Sequence, residues 1–266
     1  MMQNRSGKIR INNPAFNRSI HVFLWIAAIL SIVSIISLQI DWIKLASRVG
    51  KLASVFTDLS KLNFANIELV LFGFADSVTV TILATVYSLL LGLVMAAFMA
   101  KNITLSKKLA AAMSAFFSFL RAVPTPVWVL LALVSLGFGP APGVVGLSVH
   151  ATSFFARAFA QSFEEVPQEI IEALQAAGAN RIQIFFSAVL PASITALIAW
   201  GALRFEHNFS ESAILGMVGA GGIGYLIAAS ISGYNFGRAG LAILLVFLFA
   251  YTLELTFVAI KRRMKI

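Results

Sequence analysis

Between Ser77 and Ala100 the chain carries no charged side chain at all, and a run of that length has few places to go. About 20 apolar residues wound as a helix cross the hydrocarbon core of a bilayer. Helices and closed barrels are the only structures that satisfy every backbone hydrogen bond there. Five other runs are long and apolar enough to be candidates, at roughly Val22–Ile40, Leu109–Leu136, Val144–Phe163, Ala188–Met217 and Ala239–Ile260. Leu109–Leu136 is interrupted by Arg121, Pro124 and Pro126, so a kink or a broken helix is expected in it. Ala188–Met217 is poorly bounded, because Glu206 and Glu211 stand where apolar residues are expected. The predicted fold class is an all-α integral membrane protein with six transmembrane helices.

Composition agrees. Charged residues make up 12% of the chain, against about 25% in a soluble domain. There is no cysteine, which removes disulfides, thiolate catalysis and Cys-based metal sites together. The net charge of +9 is concentrated in short segments flanking apolar runs, as membrane topology requires, and no basic soluble domain exists to bind nucleic acid. Arg5, Lys8, Arg10 and Arg18 precede the first run, Lys101, Lys107 and Lys108 follow the second, and Lys261, Arg262, Arg263 and Lys265 follow the sixth. In a six-helix arrangement all three groups fall on one side, so both termini are expected to be cytoplasmic.

The chain divides by this reading into an N-terminal tail (1–21), a first span with an outer connection (22–76), a core (77–260) and a basic tail (261–266). The first span is too long for a signal-peptide core and no clean cleavage site follows it. The connection 41–76 holds four bases and four acids and suits an interfacial helix. Trp25, Trp42, Trp128 and Trp200 suit interface anchoring or packing. No internal repeat is visible, and a single six-helix chain has a small interior, so a homodimer with a path at its interface is expected.

Residues 172–191, EALQAAGANRIQIFFSAVLP, form a polar-to-apolar helical stretch between the fourth and fifth spans. Pro167 suits a first helical position, and Glu164, Glu165, Glu169 and Glu172 crowd the first turns, where the helix dipole favours anions. Ile170, Ala173, Ala176 and Ala177 fall at helical spacing on a small apolar face. Gly178 suits a left-handed cap, and Asn180 followed by Gln183 has the pattern of a capping box. Two short helices with a bend between them are predicted, which either lie in a soluble partner's groove or pack on their own bundle.

This segment resembles the EAA loop of binding-protein-dependent ABC importer permeases: Glu-Ala-Ala, three residues, Gly, nine residues, Ile, one residue, Leu-Pro. Glu172, Ala173, Gly178, Leu190 and Pro191 match; Leu174 replaces the second Ala and Ala188 the Ile. The resemblance implies a type I transmembrane domain whose coupling helix, near 164–191, rests on an ATP-hydrolysing subunit through Glu172, Ala173, Ala176, Ala177 and Gly178.

Charges inside spans are functional candidates by default, since each costs roughly 2.5–3.5 kcal/mol at a helix centre. Arg204, His207, Asn208 and Glu211 stand at i, i+3, i+4 and i+7, one face of a helix. Such a stripe fits a water-filled path, or equally a structural network that fixes helix register. Glu206 points nearly opposite and needs its own partner, for which Arg121 is a candidate. His150, alone on the fourth span, reads as a hydrogen-bonded packing residue, and Glu254 as a group that snorkels or meets the terminal bases.

Gly219, Gly221 and Gly224 spell the dinucleotide fingerprint, but they follow a membrane helix rather than a strand and no acid lies about twenty residues on. Gly219, Gly221, Gly222 and Gly224 are instead expected to form a helix break with close backbone approach, or a tight small-residue contact, on the outer side.

RAVPTPVWVLLALVSLGFGP, the 172–191 segment and RFEHNFSESAILGMVGAGGIG, in that order, resemble permeases of phosphonate importers, a group that also takes up phosphite. The likeness covers most of the chain from Ser77. It implies two permease chains, two cytoplasmic ATPase subunits that hold ATP and Mg, an extracytoplasmic binding protein, and a bacterial plasma-membrane location, with no cofactor and no catalytic group on this chain. Arg204 and Arg121 suit a tetrahedral oxyanion, since guanidinium pairs well with phosphate-like groups; Glu206 and Glu211 stand near enough to neutralise them. Methionine-type permeases are the nearest rival. An intramembrane enzyme lacks a nucleophile–base or HExxH signature and has only three His for a metal. A passive channel would leave the 172–191 segment without an ATPase.

Overall fold

The computed structural model describes residues 14–104 and 106–263, with the side chains of 14–17, 261 and 263 left aside. Arg5, Lys8, Arg10 and Lys265 of the basic tails lie outside the described residues. Within them every regular element is a helix. The chain divides into two units, residues 1–56 and 57–266.

The first unit contains α1 (Pro14–Ser37) and most of α2 (Trp42–Ser60). Phe23, Trp25, Leu30 and Ile36 are all exposed on α1, and a helix apolar all round is one made to face lipid. Asp41 caps α2 by accepting from the Lys44 backbone N–H at 2.9 Å, and the 41–76 connection is indeed largely helical.

In the second unit, α3 (Ile67–Met99) is 33 residues long, about 50 Å at 1.5 Å per residue. Its buried face reads Ser77, Thr81, Ala84, Thr85, Ser88, Gly92, Ala96. These are small residues at a helical period, and they let α6 (Pro140–Glu164) come close. A Cβ on Gly92 would stand 2.4 Å from the Phe155 Cβ. α6 also packs on α4 (Lys107–Ala122) and α5 (Thr125–Leu136). At Gly146 a Cβ would lie 2.7 Å from the Val129 backbone N.

α4 and α5 are one apolar run bent by 84°. The break expected at Pro124 is there. Val123 is pushed to an extended φ/ψ of −81°/125°, as the residue before proline must be, and Trp128 Nε1 donates across the corner to the Leu120 carbonyl at 3.2 Å.

The fifth span starts earlier than the sequence indicates. α7 (Gln168–Ala176) is a separate helix, but α8 (Arg181–Ile184) continues through a π turn at Phe185–Val189 into α9 (Leu190–Leu215), and the helical run extends over Arg181–Ala220. The second of the two short helices predicted for the 172–191 segment is therefore the foot of a span. Pro191 has no N–H to give the preceding turn, and the π turn beside it widens the helix enough to keep the chain helical. Pro167 likewise stands one residue before the helix, as its N-cap. Beyond a second π turn (Gly216–Ala220), a short apolar helix α10 (Gly222–Ser232) precedes α11 (Phe236–Arg263).

Among the described residues four helical stretches can cross a membrane by length and composition: Arg18–Ser37, Ile67–Met99, Arg181–Ala220 and Phe236–Ile260. The bent α4–α5 pair adds a fifth if it is one span. α6 is missed by that measure because His150, Arg157 and Gln161 dilute it. Yet Leu147, Ala151, Phe155, Ala156, Phe159 and Phe163 are buried along it, so its neighbours are mostly protein.

Candidate functional site

The polar face of α9 is set into the bundle against α3 and α6. Arg204 is 5% exposed; its Nη2 donates to Glu211 Oε2 at 3.0 Å, and its guanidinium carbon lies 5.7 Å from the centre of the Phe154 ring. Asn208 is fully buried and donates from Nδ2 to Thr85 Oγ1 at 2.9 Å. One turn along α3, Ser88 donates to the Ala84 carbonyl and lies 3.3 Å from the Ser148 carbonyl of α6. Four polar atoms of this seam are buried with no protein partner: Arg204 Nε, Asn208 Oδ1, Ser148 Oγ and His150 Nδ1. Each unmatched buried group costs about 1–3 kcal/mol, and such groups gather where a bundle admits water or a polar solute.

The four-residue stripe of the sequence is thereby divided. Arg204, Asn208 and Glu211 are brought together, whereas His207 sits at the stripe's edge and is exposed. Glu206 faces away, into a groove of about 400 Å³ between α9 and α11 that Glu254 and Phe257 also line. Arg121 is not its partner. Among the described residues the ion pairs are Lys61–Asp58 and Arg204–Glu211, and Arg121 lines a different cavity. The pairing fails because Arg121 and Glu206 open into different cavities, a placement that spacing along the chain does not reveal.

That second cavity, about 1040 Å³, opens between α4, α6 and α9. Arg121, Arg157, Lys101, Lys107 and Glu164 line it, with Trp200 at one wall. Arg157 Nη1 donates to Ser118 Oγ at 2.6 Å, Glu164 Oε1 accepts from the Lys101 backbone N–H at 2.9 Å, and Trp200 Nε1 donates to Ser162 Oγ at 3.2 Å. Arg157 lines this cavity, and reading the sequence missed it. Its signal was available, since a charge inside the run Val144–Phe163 is as costly as Arg121 or Arg204.

In the 164–191 segment, Gly178 takes φ +85°, the left-handed cap, and Asn180 and Gln183 exchange both bonds of a capping box, at 2.8 and 2.9 Å. Ile171 is 1% exposed and anchors α7 to the main core. Glu172, Ala173, Ala176, Ala177 and Gly178 all remain exposed. Arg181 donates to the Thr104 carbonyl, and a pocket of about 290 Å³ between it, Lys101, Lys107 and Gln175 separates this segment from the α3–α4 connection.

The glycine-rich stretch is a hairpin of helices. Gly219, Gly221 and Gly222 take φ of +113°, +73° and +67°. A Cβ on Gly224 would meet the Ala213 carbonyl oxygen at 1.7 Å, so both the helix break and the tight contact are present. Ser77 Oγ accepts from the Ile223 N–H at 3.0 Å and the Gly219 carbonyl from the Gly139 N–H at 3.3 Å, which ties the hairpin to α3 and to the α5–α6 turn. Among the described residues no group of His, Asp or Glu is arranged to hold a metal ion.

Residues 88–266 match the family described as binding-protein-dependent transport system inner membrane component. A phosphite transport system permease protein of Stutzerimonas stutzeri is 32% identical over 188 residues, 71% of this chain and 68% of that one. A phosphate-import permease protein of Mycolicibacterium smegmatis is 30% identical over 84% of this chain, which spans only 42% of that protein's length. Among solved structures, the MetNI methionine ABC transporter in inward-facing form superimposes with a TM-score of 0.68 at 23% identity, over 76% of this chain and 99% of that one. At that identity the likeness speaks for the fold.

Proposed function

The chain belongs to the family of binding-protein-dependent transport system inner membrane components, and from that membership we propose that it is the membrane-spanning subunit of an ATP-driven importer of phosphonate, phosphite or related phosphorus oxyanions. An extracytoplasmic binding protein delivers the anion at the face carrying the glycine hairpin. Six crossings place both termini and the 164–191 segment in the cytoplasm of a bacterial inner membrane. Two copies of the chain assemble with two ATPase subunits, which hold ATP and Mg and do all the covalent chemistry. The permease itself is not an enzyme. ATP-driven closure of the ATPase dimer pushes on the exposed face of α7 at Ala173, Ala176, Ala177 and Gly178. The push passes through the continuous α8–α9 rod to the polar seam at Arg204.

The observation that carries the substrate class is Arg204, a buried guanidinium that among the described residues has no partner for its Nε and a single ion pair, with Glu211. An arriving oxyanion competes with the Glu211 carboxylate for the same fork of donors, which suits a low-affinity path. Asn208, Ser148 and His150 supply further polar atoms beside it. The names of the phosphite and phosphate relatives point the same way. The alternative is a methionine-type importer, favoured by the name of a probable D-methionine transport system permease protein of Pasteurella multocida that is 36% identical over 112 residues.

The test is ATPase activity of the permease–ATPase complex in liposomes, with its binding protein loaded in turn with phosphonate, phosphite, phosphate or methionine. Stimulation by a phosphorus oxyanion is expected. Stimulation by methionine alone would transfer the assignment to the alternative.

A further inference from the structure

The middle of α6 is enclosed, and between Ala151 and Ala160 a single residue is exposed: Arg157. A basic residue in that place has no topological explanation. Lys101 and Lys107 flank apolar runs, where the charge rule of membrane insertion puts them, but Arg157 lies in the interior of a helix whose buried neighbours are apolar. What it faces is the cavity of about 1040 Å³. Across that space α4 presents Ala110, Ser114 and Ser118 at helical spacing, with Arg121 one turn further, so the opposite wall is low and ends in a second guanidinium.

The charge of this cavity is unbalanced. Lys101, Lys107, Arg121 and Arg157 face one carboxylate, Glu164. Arg157 spends one of its five N–H donors on Ser118 and Ser118 passes its own proton to the Ser114 carbonyl at 2.6 Å, so the hydroxyl orients the guanidinium without neutralising it. Arg121 has no ion pair among the described residues. Concentrated positive charge in a low-dielectric wall attracts anions and raises their local concentration, and forked guanidinium donors select planar or tetrahedral oxyanions over other small solutes.

We propose that the α4–α6 cavity is a binding site for a small tetrahedral oxyanion, held by Arg157 and Arg121 and separate from the Arg204 guanidinium, which overlies Phe154 in the cavity wall. Arg157 is the specificity-determining residue, and Ser118 is a positioning residue that aims it. The inference rests on the oxyanion-importer reading above and adds a second holding point to it. The same chemistry could be supplied by a phospholipid headgroup, so the experiment separates the two sources.

The whole permease–ATPase complex, without binding protein, is placed in nanodiscs of zwitterionic lipid and titrated with methylphosphonate, phosphite and inorganic phosphate while phosphorus NMR line broadening is followed. At least one oxyanion should bind, with Arg157→Gln weakening it about tenfold, the scale of one lost charge-assisted pair, and Arg157→Lys weakening it less. Ser118→Ala should weaken binding in proportion to the loss of geometry while the charge remains. Binding unchanged by Arg157→Gln overturns the site and leaves the importer reading standing. No broadening by any of the three in the wild type overturns the site, while the importer reading stands or falls separately on the ATPase assay with loaded binding protein. Displacement of the anion by added phosphatidylglycerol assigns the cavity to a lipid headgroup and overturns the proposal. As a check independent of Arg157, Ala115→Cys should react with a water-soluble maleimide and be protected by bound oxyanion. A thiol shielded without ligand means protein fills the cavity, which also overturns it.

Discussion

Removing one half of the Arg204–Glu211 pair should cost far more from one side than from the other. The Arg204 side chain is 7% exposed and that of Glu211 30%. Glu211→Gln leaves a buried guanidinium with a single π face, that of Phe154, and no anion. Breaking a fully buried pair in this way costs about 3–5 kcal/mol. Glu211 is partly solvated, so part of its attraction is already screened, and the cation–π contact retains about 1 kcal/mol. The expected loss is therefore about 2–3 kcal/mol. Arg204→Met leaves Glu211 with water within reach and keeps an apolar stem of similar length, so about 1 kcal/mol is expected. The double variant, with no buried charge at all, should be close to Arg204→Met alone. Thermal unfolding of the four proteins in one detergent, as a double-mutant cycle, measures this asymmetry. Equal losses for the two single variants, or a double variant as poor as their sum, would refute the claim that Glu211 is what keeps Arg204 tolerable in the bundle.

Three other outcomes are expected. Gly178→Val forces a β-branched residue to φ +85°, so the α7–α8 corner should loosen by about 1–3 kcal/mol, and ATP hydrolysis should uncouple from uptake; normal uptake would sink the coupling role of that corner. Asn180→Ala removes a capping box worth about 1 kcal/mol, read as faster amide hydrogen exchange at the N-terminus of α8, with unchanged exchange speaking against it. Gly146→Ala places a Cβ 2.3 Å from Val129 Cγ2, so α5 and α6 must part and stability should fall by about 1–3 kcal/mol; a thermal midpoint equal to wild type would show that the two helices are not held at that distance.

How much of this was legible beforehand depends on the range of the interaction that sets it. The break at Pro124, the cap at Gly178 and the capping box at Asn180–Gln183 were all foreseen, because each is decided by residues within one helical turn of one another. The start of the fifth span was misplaced because a π turn rescued Pro191 inside a helix, and nothing local announces that. α6 was located from its apolar run, Val144–Phe163, but not its surroundings: Leu147, Phe155 and Phe159 are buried because its neighbours are protein.

The sequence by itself determined that the chain is a helical membrane protein, where its apolar runs lie, and that a capped corner precedes the fifth of them. Hydrophobic periodicity and capping depend only on the order of nearby residues, and the sequence states that order directly. Only the tertiary structure decided which side of α9 is interior, so that Arg204 and Asn208 are enclosed while His207 is not. It alone put Arg157 opposite Ser118, 39 residues away, and sent Glu206 to a different cavity from Arg121. Those choices follow from which small residues, Gly92 and Gly146 among them, let two helices approach. Such a contact belongs to a pair of distant segments, and neither segment encodes it alone.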